Sequence, residues 1–233
     1  MTHPPPAQQF VKYTFFKTLP EWRRLPPAER TRHKQEFAAV FAEHESSIIL
    51  RSYSLTGMRA DADMMLWAVA QRLEQLQGMH AALARTGLGA YLGTTHSYLA
   101  MTRRSIYIDN HTHPGQTEDR TRIRPLDRPY LFVYPFVKTH AWYQLPMQER
   151  QRMMEEHFKI GHKYPDIRIH TTYSYGLDDQ EFVLGFETDQ PGRFLDLVMD
   201  LRSAEQRPLT ERDTPIFTCL LQPIDRVLEA LGG

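Results

Sequence analysis

The same order of strand-like and helix-like segments occurs twice along this chain of 233 residues. Each time, an apolar run typical of a strand is followed by a helix-like segment, two further strand-like runs, a second helix-like segment and a last strand. The segments of the first half are FVKYTFF, Ala28–His44, SIILRSYSL, MMLWAVA, Gln71–Thr86 and THSYLAM. Those of the second half are YLFVYPF, Pro146–Gly161, IRIHTTYSYG, EFVLGFE, Gly192–Arg202 and TPIFTCLL. This order is that of a ferredoxin-like unit.

Turn glycines follow the second strand-like run of both halves at matching positions. Gly57 lies six positions after Arg51 in the first half, and Gly176 lies six positions after His170 in the second. One ferredoxin-like sheet leaves a face bare, and a second unit can cover it. We therefore predict an α+β fold of tandem ferredoxin-like repeats that form a dimeric α+β barrel, with room for a ligand between sheet and helices.

A long segment without a clear period separates the halves. Ile108–Arg128 contains the run NHTHPG followed by charged residues. We place the N-terminal half at 1–109, the linker at 110–129 and the C-terminal half at 130–233. Loops of this length are uncommon inside compact proteins and are usually mobile or functional, so the linker either borders the ligand site or only connects the halves.

The charge balance argues against several classes of partner. Lys and Arg together number 28, as do Asp and Glu, and no one-sign stretch suggests nucleic-acid binding. No run of about 18 apolar residues is present, and the N-terminal MTHPPPAQQ lacks the features of a signal peptide. We therefore expect a cytoplasmic protein with no nucleic-acid or membrane partner, and we expect the one cysteine, Cys219, to be a buried thiol.

His157 lies on an apolar row of the first predicted helix of the second half. Met153 and Ile160 share this row with it. A histidine in such a row is either a hydrogen-bonded core residue or a metal ligand. His162 is five residues further on and points away, and no nearby Cys or carboxylate completes a tetrahedral zinc set. A single axial histidine suits haem better than zinc.

Tyr134 and Lys138 lie four residues apart in the strand LFVYPFVK, so both side chains emerge on one face of that strand. They can be a core tyrosine and a solvated lysine, and residue propensity does not exclude this. Beside a haem, the tyrosine can lose an electron and a proton to an oxidised iron, while the lysine supplies charge to a carboxylate or relays the proton. The pair is therefore a candidate for redox chemistry where a haem is bound.

The stretch Tyr134–Pro165, YPFVKTHAWYQLPMQERQRMMEEHFKIGHKYP, closely resembles the core segment of coproheme decarboxylases in the chlorite dismutase superfamily. The likeness extends upstream through SYSLTGMRADADMMLWA and downstream through GLDDQEFVLGFET, DLVMDLR and RDTPIFTC. Together these segments cover most of the chain from Phe10 to Cys219. The resemblance implies a duplicated ferredoxin-like fold that assembles into rings, commonly homopentamers, with one haem per chain in the second half.

The resemblance also implies a reaction. Hydrogen peroxide drives the oxidative decarboxylation of two propionates of iron coproporphyrin III (coproheme) to vinyl groups, which gives haem b. By the family pattern, His157 is the proximal iron ligand and Tyr134 becomes the radical that removes a hydrogen from a propionate. The pattern puts Lys138 near the reactive propionate and Arg202 in contact with a propionate. It further implies transient contact with the coproporphyrin ferrochelatase.

One residue departs from the family pattern. Thirteen residues after the proximal histidine, chlorite-splitting members carry an arginine and several decarboxylases a glutamine, whereas this chain has His170. The lack of that arginine argues against chlorite as substrate. We predict His170 as the distal base that deprotonates peroxide, with a role in the pocket wall as its alternative. Actinobacterial decarboxylases take the distal histidine from the linker, so His111, which would then also contact the cofactor, or His113 are the other candidates.

Two other functions fit the same residues. A chlorite dismutase or general haem peroxidase is the enzymatic alternative. The histidine at position 170 and Tyr134, where chlorite-splitting members have an aliphatic residue, both favour decarboxylation over it. A haem carrier or sensor is the non-enzymatic alternative, because a pocket around His157 would bind porphyrin without turning it over. Tyr134 together with Lys138 disfavours that function.

Overall fold

A computed structural model describes residues 8–107 and 122–232 of the chain. The chain divides into two compact units. The first unit comprises Met1–Met101 with Thr218–Gly233, and the second unit comprises Thr102–Phe217. In the described ranges no helix is both long and apolar enough to cross a lipid bilayer. Most of the predicted linker, 110–129, lies outside the described residues, so its relation to a ligand site stays a prediction.

The first unit has the order of strands and helices that the sequence predicts. Its elements up to residue 101 are β1 (Phe10–Thr18), α1 (Pro20–Arg23), α2 (Pro27–Glu45), β2 (Ile49–Ser54), β3 (Met64–Ala70), α3 (Leu73–Ala84) and β4 (Leu92–Met101). The strands pair antiparallel in the order β4-β1-β3-β2. In this order β1 and β3 lie in the centre of the sheet, and β4 and β2 lie at its edges, as in a ferredoxin-like sheet.

Large apolar side chains fill the core of the first unit. All seven residues of β3 are buried, so this central strand is covered on both faces. On one face Leu66 packs in a cluster with Phe37 of α2 and Met79 of α3. On the other face Trp67 stacks on Tyr13 of β1, with 5.7 Å between ring centroids. Removal of these side chains from water is a main contribution to the stability of the unit.

The second unit repeats the arrangement. Its elements are β5 (Tyr130–Lys138), α4 (His140–Gln144), α5 (Met147–Gly161), β6 (Arg168–Tyr173), β7 (Phe182–Thr188), α6 (Pro191–Arg202) and β8 (Thr210–Arg212). The strands pair antiparallel in the order β6-β7-β5-β8, the same order as in the first unit when read from the other edge. The prediction of an α+β fold is confirmed, and each unit has the strand order of a ferredoxin-like repeat.

The last strand-like run has another partner than the sequence suggests. TPIFTCLL contains β9 (Phe217–Leu221), which pairs with β2 of the first unit and leads into α7 (Ile224–Ala230). The closing strand of the second unit is instead β8, three residues long and paired with β5. Periodicity predicts a strand but not the edge that it joins. Cys219 of β9 is a free, buried thiol, as predicted.

Leu50 of β2 is fully buried, whereas Leu73 at the start of α3 is 41% exposed. We expect Leu50→Ala to lower the free energy of unfolding by about 2–5 kcal/mol, because it removes buried methyl groups and leaves a cavity. Leu73→Ala is the matched control, with an expected loss below about 0.5 kcal/mol. Urea denaturation followed by tryptophan fluorescence measures both variants. Equal losses would contradict the burial of Leu50.

Candidate functional site

Tyr134 lies on the face of the second sheet that the helices cover. Side chains alternate along β5, and Phe132 and Tyr134 share a buried cluster with Phe194 of α6. We call this the helix-covered face. The ring of Tyr134 stacks on Phe186 with 5.6 Å between centroids. Burial raises the pKa of the Tyr134 hydroxyl, and the charge of Asp213 adds to the rise, so the phenol is neutral at physiological pH.

His157 extends from the third turn of α5. Ile160, one turn further on, packs against the cluster that contains Tyr134, so this part of the predicted apolar row meets the sheet. Nδ1 of His157 lies 2.5 Å from Nε2 of Gln206. Burial, and to a smaller extent the charge of Lys138, lowers the pKa of the imidazole to about 4. His157 is therefore neutral, the form that binds metals, and its Nε2 makes no hydrogen bond to any described residue.

Gln206 joins His157 to Lys138. The ammonium of Lys138 donates a hydrogen bond to Oε1 of Gln206 at 2.6 Å, while the amide nitrogen of Gln206 faces His157. Lys138 is 6% exposed, and its ammonium lies 4.3 Å from the ring centroid of Trp142. Burial lowers the pKa of Lys138 to about 8. The alternative of a solvated lysine is therefore excluded, and Lys138 is linked to the candidate iron ligand.

The amide group of Gln206 can form a hydrogen bond with either tautomer of the neutral His157 ring. As a donor, the amide nitrogen requires a lone pair on Nδ1, which leaves the ring proton on Nε2. Metal binding through Nε2 requires the proton on Nδ1 instead. The amide oxygen of Gln206 accepts a hydrogen bond from that N–H once the amide group has turned over, which places the amide nitrogen on the side of Lys138. A carboxylate at this position could only accept a hydrogen bond, so it would fit only the tautomer with the proton on Nδ1. Sequence patterns do not single out Gln206, because an isolated glutamine carries no periodic signal.

Arg202 and Arg207 share one carboxylate near Tyr134. A guanidinium nitrogen of each lies 2.5 and 2.6 Å, respectively, from Oδ2 of Asp213. The charges of all three residues act on the pKa of Tyr134, so the cluster is electrostatically coupled to its hydroxyl. Two guanidinium groups and one carboxylate leave a net positive charge. The cluster can therefore bind an anion such as a ligand carboxylate, which is the role predicted for Arg202.

His170 lies on the opposite face of the sheet from Tyr134. In β6 it pairs with Gly185, whereas Thr171 pairs with Leu184, and Leu184 pairs in turn with Tyr134. Neighbouring residues of a strand point to opposite faces. Thr171 therefore shares the helix-covered face with Tyr134, and His170 does not.

The buried environment of His170 also explains why it is not a free base. Its Nε2 lies 2.6 Å from Oε2 of Glu187, and both side chains are almost fully buried. The carboxylate of Glu187 accepts the backbone N–H of Leu126 as well. The assignment of His170 as distal base beside Tyr134 is thus corrected, because a count of residues takes no account of the strand pleat. The alternatives His111 and His113 lie outside the described residues.

The first unit carries the same scaffold without the candidate ligand. Residues 120 positions apart match in both units: Trp22 and Trp142, Leu25 and Leu145, Pro26 and Pro146, Arg30 and Arg150. Where the second unit has Tyr134, Lys138 and His157, the first has Thr14, Thr18 and Phe37. Phe37 is 1% exposed and fills the core at the position equivalent to His157. This offset is a sequence signal that distinguishes His157 from a structural histidine.

The donor set fits an iron porphyrin better than a bare metal ion. Across residues 8–107 and 122–232, no group of three or more His, Cys, Asp or Glu side chains could hold a metal ion. A zinc centre is therefore not formed by this part of the chain. A porphyrin supplies the equatorial ligands of its iron itself and needs one axial ligand from the protein, for which neutral His157 is suited.

Comparisons with known proteins match most of the chain. A family model described as chlorite dismutase matches residues 30–222. The chain is 34% identical over 192 residues to a coproheme decarboxylase of Mycolicibacterium smegmatis, with 78% of each chain covered. It is 30% identical over 204 residues to a coproheme decarboxylase of Staphylococcus carnosus, with 80% of each covered. A solved mutant chlorite dismutase from Candidatus Nitrospira defluvii shares the fold, with a TM-score of 0.87, 24% identity and coverage of 97% of this chain and 96% of the other.

The neutral state of His157 predicts a pH dependence of stability. Its pKa is lowered from 6.5 to about 4 in the folded chain, so protonation favours the unfolded chain. The contribution of His157 to stability is therefore present above pH 6.5 and is lost as the pH falls from 6.5 to about 4. His157→Phe removes the imidazole. When the pH is lowered from neutral to about 4, the unfolding free energy of this variant should fall less than that of the parent.

Urea denaturation at neutral pH and at about pH 4 measures this difference. His140→Phe is the control, because His140 is exposed at the start of α4 and its replacement should leave the parental pH dependence. Identical pH dependence in the parent and in His157→Phe would show that the imidazole of His157 is not held neutral.

Proposed function

The chain belongs to the chlorite dismutase family, and we propose that it is a coproheme decarboxylase. In this proposal it converts iron coproporphyrin III to haem b by oxidative decarboxylation of two propionates with hydrogen peroxide. The names of the two relatives from M. smegmatis and S. carnosus support it. The observation that carries it is that Tyr134 shares the buried cluster against which the helix of His157 packs. The charges of Arg202, Arg207 and Asp213 also act on its hydroxyl.

Two residues would bind the porphyrin in this proposal. His157 would hold the iron through Nε2, with the amide oxygen of Gln206 accepting a hydrogen bond from Nδ1–H and so keeping the imidazole in the ligating form. Arg202 would bind a propionate through its exposed guanidinium donors. When bound, the iron porphyrin supplies the oxidising equivalents that peroxide delivers.

Tyr134 is suited to lose a hydrogen atom rather than a proton. Burial keeps its phenol protonated, and no hydrogen bond to another described residue holds its hydroxyl. Once oxidised, the tyrosyl radical takes a hydrogen atom from the propionate, which restores the phenol and leaves a carbon radical on the substrate. Loss of one further electron from that radical, taken up by the second oxidising equivalent of hydrogen peroxide, releases carbon dioxide and leaves the vinyl group.

Lys138 would adjust the charge near the reacting propionate. Its pKa of about 8 lets it exchange a proton close to neutral pH, which an ordinary lysine does not do. In the structure the same ammonium donates to the amide oxygen of Gln206, and turning that oxygen toward Nδ1 of His157 replaces this hydrogen bond, so Lys138 is coupled to the residue that holds His157. In this proposal Lys138 stabilises or relays charge at the reactive propionate, the position that the family pattern implies.

The alternatives of a chlorite dismutase and of a haem carrier have less support. A chlorite dismutase is expected to present an arginine to the ligand from the strand after the proximal histidine. In β6, the residues on the helix-covered face are Ile169, Thr171 and Tyr173. A haem carrier has no use for Tyr134 beside an arginine cluster. The base that deprotonates peroxide is proposed to be His111 or His113.

Several further predictions concern assembly, location and partners. They are the dimeric α+β barrel, the homopentamer, transient contact with the coproporphyrin ferrochelatase, and the cytoplasm as the location. These rest on the sequence and its resemblance to the family. The chemistry proposed for the residues of the second unit does not depend on them.

Protein loaded with iron coproporphyrin III should yield the three-propionate intermediate and then haem b when hydrogen peroxide is added. Mass-resolved chromatography of the porphyrins measures both products. We expect Tyr134→Phe to bind the porphyrin but to lose at least about 100-fold of turnover, because the hydrogen-accepting oxygen is gone. Tyr130→Phe, on the same face of β5, is the control and should keep parental turnover.

The outcomes separate the candidate functions. Bleaching of the porphyrin without loss of carboxyl groups would favour the peroxidase or carrier. Parental turnover in Tyr134→Phe would remove this residue from the mechanism while leaving the reaction in place.

A further inference from the structure

Lys138, Gln206 and His157 are joined by hydrogen bonds in which donors and acceptors have to alternate. The ammonium of Lys138 donates to Oε1 of Gln206 at 2.6 Å, and Nε2 of Gln206 lies 2.5 Å from Nδ1 of His157. A lysine ammonium has donors only, whereas a glutamine amide has one donor end and one acceptor end. The observed arrangement therefore fits a charged Lys138 and a His157 ring with a lone pair on Nδ1.

Iron ligation reverses the requirement at the His157 end. With a metal on Nε2, Nδ1 carries the ring proton and needs an acceptor, so the amide oxygen of Gln206 has to face His157. The NH₂ group of Gln206 then faces Nζ of Lys138. An NH₂ group and an ammonium are both donors and make no hydrogen bond with each other. Loss of one proton from Lys138 gives Nζ a lone pair, which accepts from the NH₂ group and restores the alternation.

Burial leaves little room for another solution. Gln206 is 7% exposed, so water has little access to its amide group. In the part of the chain that the structure describes, Nζ of Lys138 has one hydrogen-bond acceptor, which is Oε1 of Gln206. The ammonium also lies over the rings of Phe136 and Trp142. A buried polar group that loses its partner costs stability, and a change in the protonation of Lys138 avoids that cost.

The groups around Lys138 allow it to release a proton near neutral pH. Burial is the largest effect and lowers the pKa of the ammonium to about 8. The carboxylate of Glu181, which accepts the backbone N–H of Lys138 at 2.7 Å, opposes this fall, and the charge of Arg207 adds to it. Trp142 of α4 presents an uncharged ring, and His157 of α5 is neutral. At neutral pH the ammonium is therefore close to the point at which it gives up its proton.

The first unit lacks every member of this hydrogen-bonded set. Leu88 is equivalent to Gln206, because the residue before each of them donates its backbone N–H to a glutamate, and these two glutamates are 120 positions apart. In place of Lys138, Gln206 and His157 the first unit has Thr18, Leu88 and Phe37. The amide and the ammonium thus occur in the unit that has the imidazole, which indicates that they act on it.

We propose that Gln206 is a positioning residue through which iron ligation by His157 and the positive charge of Lys138 exclude each other, so that Lys138 becomes a neutral amine when His157 binds the iron of a porphyrin. One proton passes from Lys138 to the solvent, and no electron is transferred. The inference rests on the proposed function, which supplies the iron porphyrin. It selects between the two roles given to Lys138 there, because a neutral amine relays a proton but adds no positive charge.

Titration of the ligand-free chain with iron coproporphyrin III, followed at the Soret band, tests this coupling. Protons compete with the ligand for the network, so the affinity of the parent should fall by about tenfold per pH unit below about pH 8, relative to Lys138→Met, which has no proton to release. Calorimetry near pH 7 in two buffers of different ionisation enthalpy counts the protons. We expect the parent to release about one proton more than Lys138→Met.

Gln206→Glu separates the amide from the lysine. The two oxygens of a carboxylate accept from the ammonium of Lys138 and from Nδ1–H of His157 at the same time, so the conflict between donors disappears. This variant should bind the porphyrin and release no more protons than Lys138→Met. Gln206→Leu, which copies the first unit, should also lose the extra proton and decides the matter if the thermal midpoint of Gln206→Glu reveals a folding defect.

Three results would overturn the inference: equal proton release by the parent and Lys138→Met, an extra proton that persists in Gln206→Glu, or proton uptake by the parent. Uptake is expected if Lys138 stays charged and turns to a propionate instead. Binding of iron coproporphyrin III without turnover would overturn the decarboxylase proposal, while an extra proton released by the parent would still support the coupling. Absence of binding to the parent would overturn both.

Discussion

The packing of α6 onto the second sheet determines where the groups of the candidate site can lie. Phe194 of α6 stacks on Phe132 with 4.0 Å between ring centroids and contacts Phe186 at 5.1 Å. Since α6 ends at Arg202 and Gln206 follows closely, this aromatic contact positions both the arginine cluster and the amide between Lys138 and His157. A shift of α6 along the sheet would move all of these groups relative to Tyr134.

Burial then sets the charge of the groups that α6 brings together. The pKa of Tyr134 is raised, and those of Lys138 and His157 are lowered to about 8 and about 4, with desolvation as the first cause in each case. The interior of the site therefore favours neutral forms, while the net positive charge lies at the arginines around Asp213. A flat apolar ligand with anionic groups on its rim matches this distribution.

The sequence alone predicts the elements of both units because their apolar periods are local properties of the chain. It also singles out His157 and Tyr134, each of which lies within such a periodic segment. It fails for His170, since a one-residue difference in register reverses the face of a strand. Gln206 is beyond reach for another reason: its partners lie 49 and 68 residues away along the chain, and only the tertiary fold joins them.

Phe37 shows how a duplicated scaffold divides its tasks. One copy has a core side chain at the position equivalent to His157, so its helices and sheet enclose an ordinary hydrophobic interior. The other copy has an imidazole there and can change its binding residues in response to selection for a ligand. Specialisation of this kind lets an evolving protein explore new chemistry in one copy while the other retains a filled interior.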